Sequence, residues 1–195
     1  MKTFRAPIAI TLAATLAGCG INSVPTAEEN AKARWADVQN AYQRRADLIP
    51  NLVSTVKAAG AQEKDILVQV TQARAGANAV KLSGDDLKDP AKVANYERAQ
   101  SAVTLSLQRL QEAYPELKSQ GNYTTLMSQL EGTENRISIA RGDYNNAVQA
   151  YNTRIRTFPD AVGARIFYGA KPMTPFQATT PGAETAPKVD FGGNG

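Results

Sequence analysis

Residues 122–159 read NYTTLMSQLEGTENRISIARGDYNNAVQAYNTRIRTFP, and their apolar spacing decides the fold. Tyr123, Leu126, Leu130, Thr133, Ile137, Ala140, Tyr144, Ala147, Tyr151, Ile155 and Phe158 recur at steps of three and four. That spacing keeps them on one stripe of an α-helix. Asn122 is placed to cap its start and Pro159 to stop it. At 1.5 Å per residue such a helix is about 55 Å long.

Three more stripes precede it. Trp35, Val38, Tyr42, Arg45, Ile49, Leu52 and Val56 form the first. Thr26-Ala27-Glu28-Glu29 before it has the form of a capping box. Pro50 lacks a backbone donor and predicts a kink near residues 46–50, while the seam continues across it. Gly60 weakens the end. Ile66, Val70, Ala73, Ala77 and Val80 make the second stripe, closed by the turn Leu82-Ser83-Gly84-Asp85-Asp86. Asp89-Pro90 is a helix start, with a carboxylate at the N-cap and proline at the first helical position. Val93, Tyr96, Ala99, Val103, Leu107, Leu110 and Tyr114 follow as the third stripe, which Pro115 ends or bends.

Nothing alternates with period two, so the expected class is all-α. Short turns between stripes predict an antiparallel four-helix up-and-down bundle over 26–176, with long first and last helices. Three long helices is the alternative, should the first two stripes fuse. The fused rod from Ala27 to Val80 would approach about 80 Å, too long for its partners to cover. Ile166, Phe167, Tyr168 and Phe176 are expected to dock on the bundle. From there the chain turns Thr-, Pro-, Gly- and Ala-rich, and 177–195 reads as a disordered tail.

The amino terminus carries a different message. Lys2 and Arg5 precede about a dozen uncharged, mostly apolar residues, too few for the ~20 of a membrane-spanning helix. Leu16-Ala17-Gly18-Cys19 follows, and Cys19 is the chain's one cysteine. The quartet resembles the lipobox of bacterial lipoproteins. That resemblance implies removal of 1–18 as a signal peptide, diacylation of the Cys19 thiol and acylation of the new amino terminus. Residues 19–25 then serve as a leader between anchor and bundle. Two acyl chains suffice for stable anchoring, so the mature protein is expected to be tethered to a membrane and not to span it.

Composition removes many chemistries. The chain has no histidine, which excludes His-based triads and His-ligated zinc or haem. With Cys19 acylated no thiol remains as nucleophile or ligand. Asp85, Asp86 and Asp89 do not match the alternating oxygens of a calcium loop and read better as a turn with a helix cap. No glycine-rich phosphate cradle occurs. Neither a metal nor a cofactor is expected. Losing Lys2 and Arg5 lowers the net charge from +4 to +2, with basic residues scattered and not patched. Nucleic acid is therefore not an expected partner.

Several strings go beyond helical pattern. Arg44-Arg45-Ala46-Asp47-Leu48-Ile49-Pro50-Asn51-Leu52-Val53 is followed by Gln72-Ala73-Arg74 and Glu112-Ala113-Tyr114-Pro115-Glu116-Leu117-Lys118. Leu130-Glu131-Gly132-Thr133-Glu134-Asn135-Arg136-Ile137, Ala140-Arg141, Tyr144-Asn145, Tyr151-Asn152 and Phe158-Pro159 come next. In this order they resemble the LemA family from about Trp35 to Phe176. The resemblance implies a helical bundle outside the cytoplasm and supplies no activity. Family members usually carry an amino-terminal membrane-spanning helix; the lipobox here changes the anchor. Gly20 stands where an aspartate would signal inner-membrane retention, so the outer membrane, facing the periplasm, is implied for a Gram-negative source.

The unusual polar residues are Arg44, Arg45, Glu134, Asn135 and Arg141, with Tyr144 and Asn145 beside them. Charged groups rarely enter a bundle unpaired. One reading is a ligand pocket; the favoured one is an internal network that fixes helix register. Arg45, or its neighbour Arg44, is expected to pair with Glu134 inside the bundle through two parallel hydrogen bonds. The tyrosines at 114, 123, 144 and 151 are expected in the core or rim with satisfied hydroxyls. The function expected is a non-enzymatic, lipid-anchored envelope scaffold or adaptor with an unknown protein partner. Small-molecule or lipid binding between helices is the alternative, and a carboxylate-based hydrolase the remote one.

Overall fold

A computed structural model describes residues 22–60 and 64–177, and among them every regular element is helical. Helix α1 spans Ser23–Ala58, α2 Lys64–Ala79, α3 Pro90–Ala113, α4 Gly121–Arg154 and α5 Asp160–Ile166. Short 3₁₀ turns at Asp86–Lys88 and Pro115–Ser119 flank α3. The signal peptide, Cys19 and residues 178–195 of the expected tail lie outside the described residues; Gln177, the first residue of that tail, is described and hydrogen-bonds to Arg141 and Glu97.

Four long helices match the four stripes, and the first two are separate. Helix α1 ends at Ala58, with the Ala59 and Gly60 amides returning to Thr55 and Lys57 carbonyls. Gly60 takes φ +86°, a conformation an L side chain resists. Asp89 caps α3 as its position before Pro90 demands, accepting from the Ala91 and Lys92 amides. Two starts differ from expectation. Helix α1 begins at Ser23, so Thr26 lies inside it and its hydroxyl back-bonds to the Asn22 carbonyl instead of forming a capping box. Asn122 likewise lies inside α4, whose N-cap position is Gln120.

Helix α1 continues through Pro50. A proline at 50 cannot donate to the carbonyl four residues back, which orphans Ala46. Arg74 of α2 takes that place, donating its Nε–H to the Ala46 oxygen at 2.7 Å. The expected kink site is thus a docking point between α1 and α2.

Helices α1 and α4 run antiparallel. Trp35 meets Tyr144, while ten residues on Arg45 meets Glu134. Helix α3 runs level with α1, Tyr96 touching Trp35 and Tyr42 and Gln100 touching Arg45. Helix α2 packs chiefly along α3. The apolar interior forms two clusters. One gathers Val24, Trp35, Val38, Tyr42, Tyr96, Ile137, Tyr144 and Tyr151; the other gathers Ile49, Leu52, Val56, Val70, Leu110, Tyr123 and Leu130. Of the expected tyrosines, Tyr123 is buried with a hydroxyl that lacks a hydrogen-bond partner among the described residues.

After Arg154 the chain leaves the stripe. Ile155 still packs on the first cluster, but Phe158 is outside the helix and exposed. Of the four residues expected to dock, only Phe176 does so; Ile166, Phe167 and Tyr168 face outward.

Candidate functional site

Between the two clusters lies a polar layer centred on Arg45. The Arg45 side chain is 3% exposed. Its Nη1 donates to Thr104 Oγ1 at 2.9 Å and to Glu134 Oε2 at 3.1 Å. Its Nη2 donates to the Gln100 carbonyl at 3.0 Å and to Gln100 Oε1 at 2.9 Å. The guanidinium also lies 5.0 Å from the Tyr42 ring centre, where a cation is attracted by the π face.

The expected pairing of Arg45 with Glu134 is present but differs in form. One nitrogen reaches one carboxylate oxygen, and the Glu134 side chain is 49% exposed. Most of what satisfies the buried guanidinium comes from Gln100 and Thr104 of α3, neither of which stands out in sequence. The reason is geometric: successive helical positions turn by about 100°, so Glu134 sits on the rim while Thr133 and Ile137 point inward. The same rotation puts Arg44 and Asn135 outside the layer, on the surface. Arg44 instead lines a shallow surface groove of about 160 Å³ with Leu48, Gln129, Gly132, Thr133 and Arg136.

Arg141 belongs to a second arrangement, which sequence reasoning missed. Beyond α5, at Gly169 (φ +52°), the chain turns back as a segment without helix or strand and runs along α4 to Gln177. Tyr151 donates its hydroxyl to the Lys171 carbonyl at 3.0 Å. Asn152 brackets Met173, donating to its carbonyl at 2.8 Å and accepting from its amide at 2.9 Å. One heptad earlier the pattern repeats. Tyr144 donates to the Thr174 carbonyl at 3.0 Å, and Asn145 brackets Phe176 at 3.0 and 2.8 Å.

Two repeats therefore mesh. Along α4 the dipeptide Tyr-Asn recurs after seven residues, a rise of about 10.5 Å. Along the strap, Lys171-Pro172-Met173 is followed by Thr174-Pro175-Phe176, and three residues of extended chain advance about 10 Å. Each Tyr-Asn step reads one three-residue unit. The prolines carry no N–H, so no amide is left over at those positions. Met173 and Phe176 point inward and are buried, Phe176 stacking on Trp35 and lying edge-on to Tyr144. The Thr174 amide reaches the Leu87 carbonyl at 2.8 Å.

Arg141 closes the strap. Its Nη2 donates to the Gln177 carbonyl at 2.7 Å, and its guanidinium lies 4.7 Å from the Phe176 ring centre. The Gln177 amide donates to Glu97 Oε1 at 2.9 Å, and Arg141 approaches the same oxygen at 3.4 Å. Burial pushes the Glu97 carboxyl above its usual range, against the Gln177 amide and Arg141, which favour the ionised form. Burial also pushes the Tyr144 and Tyr151 hydroxyls up, so both stay O–H donors at neutral pH. Beside the strap lies an open groove of about 290 Å³, lined by Asn145, Val148, Gln149, Asn152, Thr153, Arg156 and Pro175. Among the described residues no group of His, Cys, Asp or Glu is placed to hold a metal.

A helical bundle with a buried polar layer and a strap along α4 is thus the class of protein the geometry defines. The LemA family sequence model matches residues 34–191, and the chain belongs to the LemA family. No curated protein matches it.

Proposed function

We propose that this chain is a non-enzymatic, lipid-anchored adaptor on the extracytoplasmic side of the cell envelope, acting through protein–protein contact. The observation that carries this reading is the paired Tyr-Asn ladder of α4. It holds the main chain of a proline-containing segment through side chains on a rigid helix. Binding modules take extended proline-containing peptides by the same means, where the ligand needs little further ordering. A partner segment with the same spacing of proline and apolar residue would find the same donors and acceptors, in place of the strap or along its groove. The helices supporting the ladder are read as an up-and-down four-helix bundle, with α1 antiparallel to α4. The anchor is assigned to Cys19 on the strength of Leu16-Ala17-Gly18-Cys19.

Crosslinking and capture from intact envelopes tests this. The parent should hold a defined partner. Cys19→Ser should take up no fatty acid and lose membrane retention. Asn145→Ala with Asn152→Ala should keep its helical circular dichroism and capture less partner. Equal capture by the parent and the double variant would sink the ladder as the contact site.

A further inference from the structure

Four large apolar side chains stand in solvent on one short stretch. Phe158, Val162, Ile166 and Phe167 are 84%, 49%, 69% and 65% exposed. Single exposed apolar residues are ordinary, but a contiguous set marks a contact surface. The fold fixes where this set lies. Helix α5 directly follows the end of α4, which runs antiparallel to α1, and it packs against α1 with Ala164 buried, so the patch lies at the end where α1 begins. Arg154, Arg156, Arg165 and Lys171 are exposed on the same stretch, against one half-buried acid, Asp160. The start of α1 and the α2–α3 turn add acids to this end, but Glu28 and Glu29 pair with Lys32, Lys88 is shared by Glu28 and Asp85, Asp86 pairs with Lys92, and Asp89 caps α3.

Sequence distance supplies the occupant. Cys19 precedes Asn22, the first described residue, by three positions. Three residues span at most about 11 Å of extended chain. An acylated Cys19 therefore holds this end of the bundle at the bilayer surface. Among the described residues no helix is long and apolar enough to cross a membrane, so contact there is interfacial.

We infer that the α5 end of the bundle lies against the lipid bilayer, with Phe158, Ile166 and Phe167 entering the headgroup region and the arginines meeting anionic headgroups. This rests on the lipid-anchor reading of Cys19. Aromatic and aliphatic side chains flanked by arginine are the composition of surface-lying membrane segments. The contact gives the tethered bundle one orientation, α1 and α4 standing away from the bilayer and the Pro115–Ser119 turn at the far end.

The test is spin-label depth measurement on the full processed protein in vesicles of phosphatidylethanolamine and phosphatidylglycerol. Ile166→Cys and, separately, Phe167→Cys carry a nitroxide near the patch; Lys118→Cys carries it at the far end. Oxygen, which concentrates in lipid, should relax the labels at 166 and 167 severalfold more than at 118. A water-soluble nickel chelate should do the reverse. Chelate access at 166 and 167 equal to that at 118 overturns the inference. Spin–spin broadening at 166 without oxygen enrichment overturns it too, by assigning the patch to a second copy. Mass spectrometry of the same samples separates the two readings. A free Cys19 thiol without acyl mass rejects the anchor itself, whereas acyl mass with water-exposed labels rejects only the docking.

Discussion

Arg45 offers a test in which exposure decides the magnitude. If the layer were a symmetric buried ion pair, removing either partner would cost about 3–5 kcal/mol, because the other charge would stay buried alone. The geometry is not symmetric. Arg45 is enclosed, while half of the Glu134 side chain is in water. Arg45→Ala removes four hydrogen bonds, leaves Gln100 Oε1 and Thr104 Oγ1 short of a donor, and opens a cavity. About 3–5 kcal/mol is expected for that loss. Glu134→Gln keeps an acceptor near Nη1, and its charge is screened by solvent, so about 0.5–1.5 kcal/mol is expected. Arg45→Met retains the packed stem and strands only the polar partners, at about 1–3 kcal/mol. Adding Gln100→Leu to Arg45→Met removes the principal stranded partner and should recover much of that loss. If the layer sets register, this apolar pair should keep its helicity and lose near-ultraviolet dichroism or amide dispersion. The assay is urea unfolding of the protein without residues 1–19, followed by circular dichroism at two wavelengths. Glu134→Gln costing as much as Arg45→Ala would refute the asymmetry, and Arg45→Ala costing under about 1 kcal/mol would refute the layer.

Three further outcomes follow from particular contacts. Arg74→Ala orphans the Ala46 carbonyl and should cost about 1–3 kcal/mol; Pro50→Ala restores an in-helix donor there, so it should stabilise the Arg74→Ala chain more than the parent in a double-mutant cycle by urea unfolding. Asn152→Ala should raise hydrogen exchange at the Met173 amide, and Asn145→Ala at Phe176, with little change in the interiors of α1 and α3. Glu97 is held above its usual value of 4.5 in the folded chain, so its stabilising share is complete below that unfolded value and lost as pH rises through the folded one. Melting curves should therefore show the parent gaining on Glu97→Gln as pH falls from neutral toward about 4.5; the opposite trend would mean that the ion pair with Arg141 outweighs burial.

The helices were legible because a period near 3.6 survives in the apolar residues whatever their partners. Arg45 was legible for the same reason, as a cation on an apolar seam. Gln100 and Thr104 were not, since uncharged polar residues beside a stripe read as solvated flank. Arg44 and Asn135 show the opposite error: adjacency in sequence to a layer residue is about 100° of rotation away from it. The Tyr144-Asn145 and Tyr151-Asn152 steps could be quoted from sequence as family strings, yet their use could not. Their partner is a segment with no helical or strand period, and the match is between a rise of seven helical residues and three extended ones. Reading it requires comparing two spacings in different conformations. Lys171-Pro172-Met173-Thr174-Pro175-Phe176 was the available signal, a repeat of period three just before the expected tail.

The strap and the exposed end belong to one mechanical unit. Helix α5 has seven residues, too few for a helix to persist on its own packing-free propensity. One of them, Ala164, is buried in the core. What places α5 is therefore the chain on either side of it. Before it stand the last turn of α4 and Ile155, packed on the first cluster. After it the strap is pinned by Tyr151, Asn152, Tyr144, Asn145 and Arg141, with Met173 and Phe176 buried beneath. Gly169 supplies the reversal between them, and the Ala170 amide closes onto the Ala164 carbonyl at 3.0 Å. The ladder of side chains on α4 thus fixes both the outward aim of Ile166 and Phe167 and the inward seat of Phe176. Loosening the ladder would loosen the two together, leaving the strap held to the rest of the bundle through the Thr174 amide on Leu87 and the Gln177 amide on Glu97.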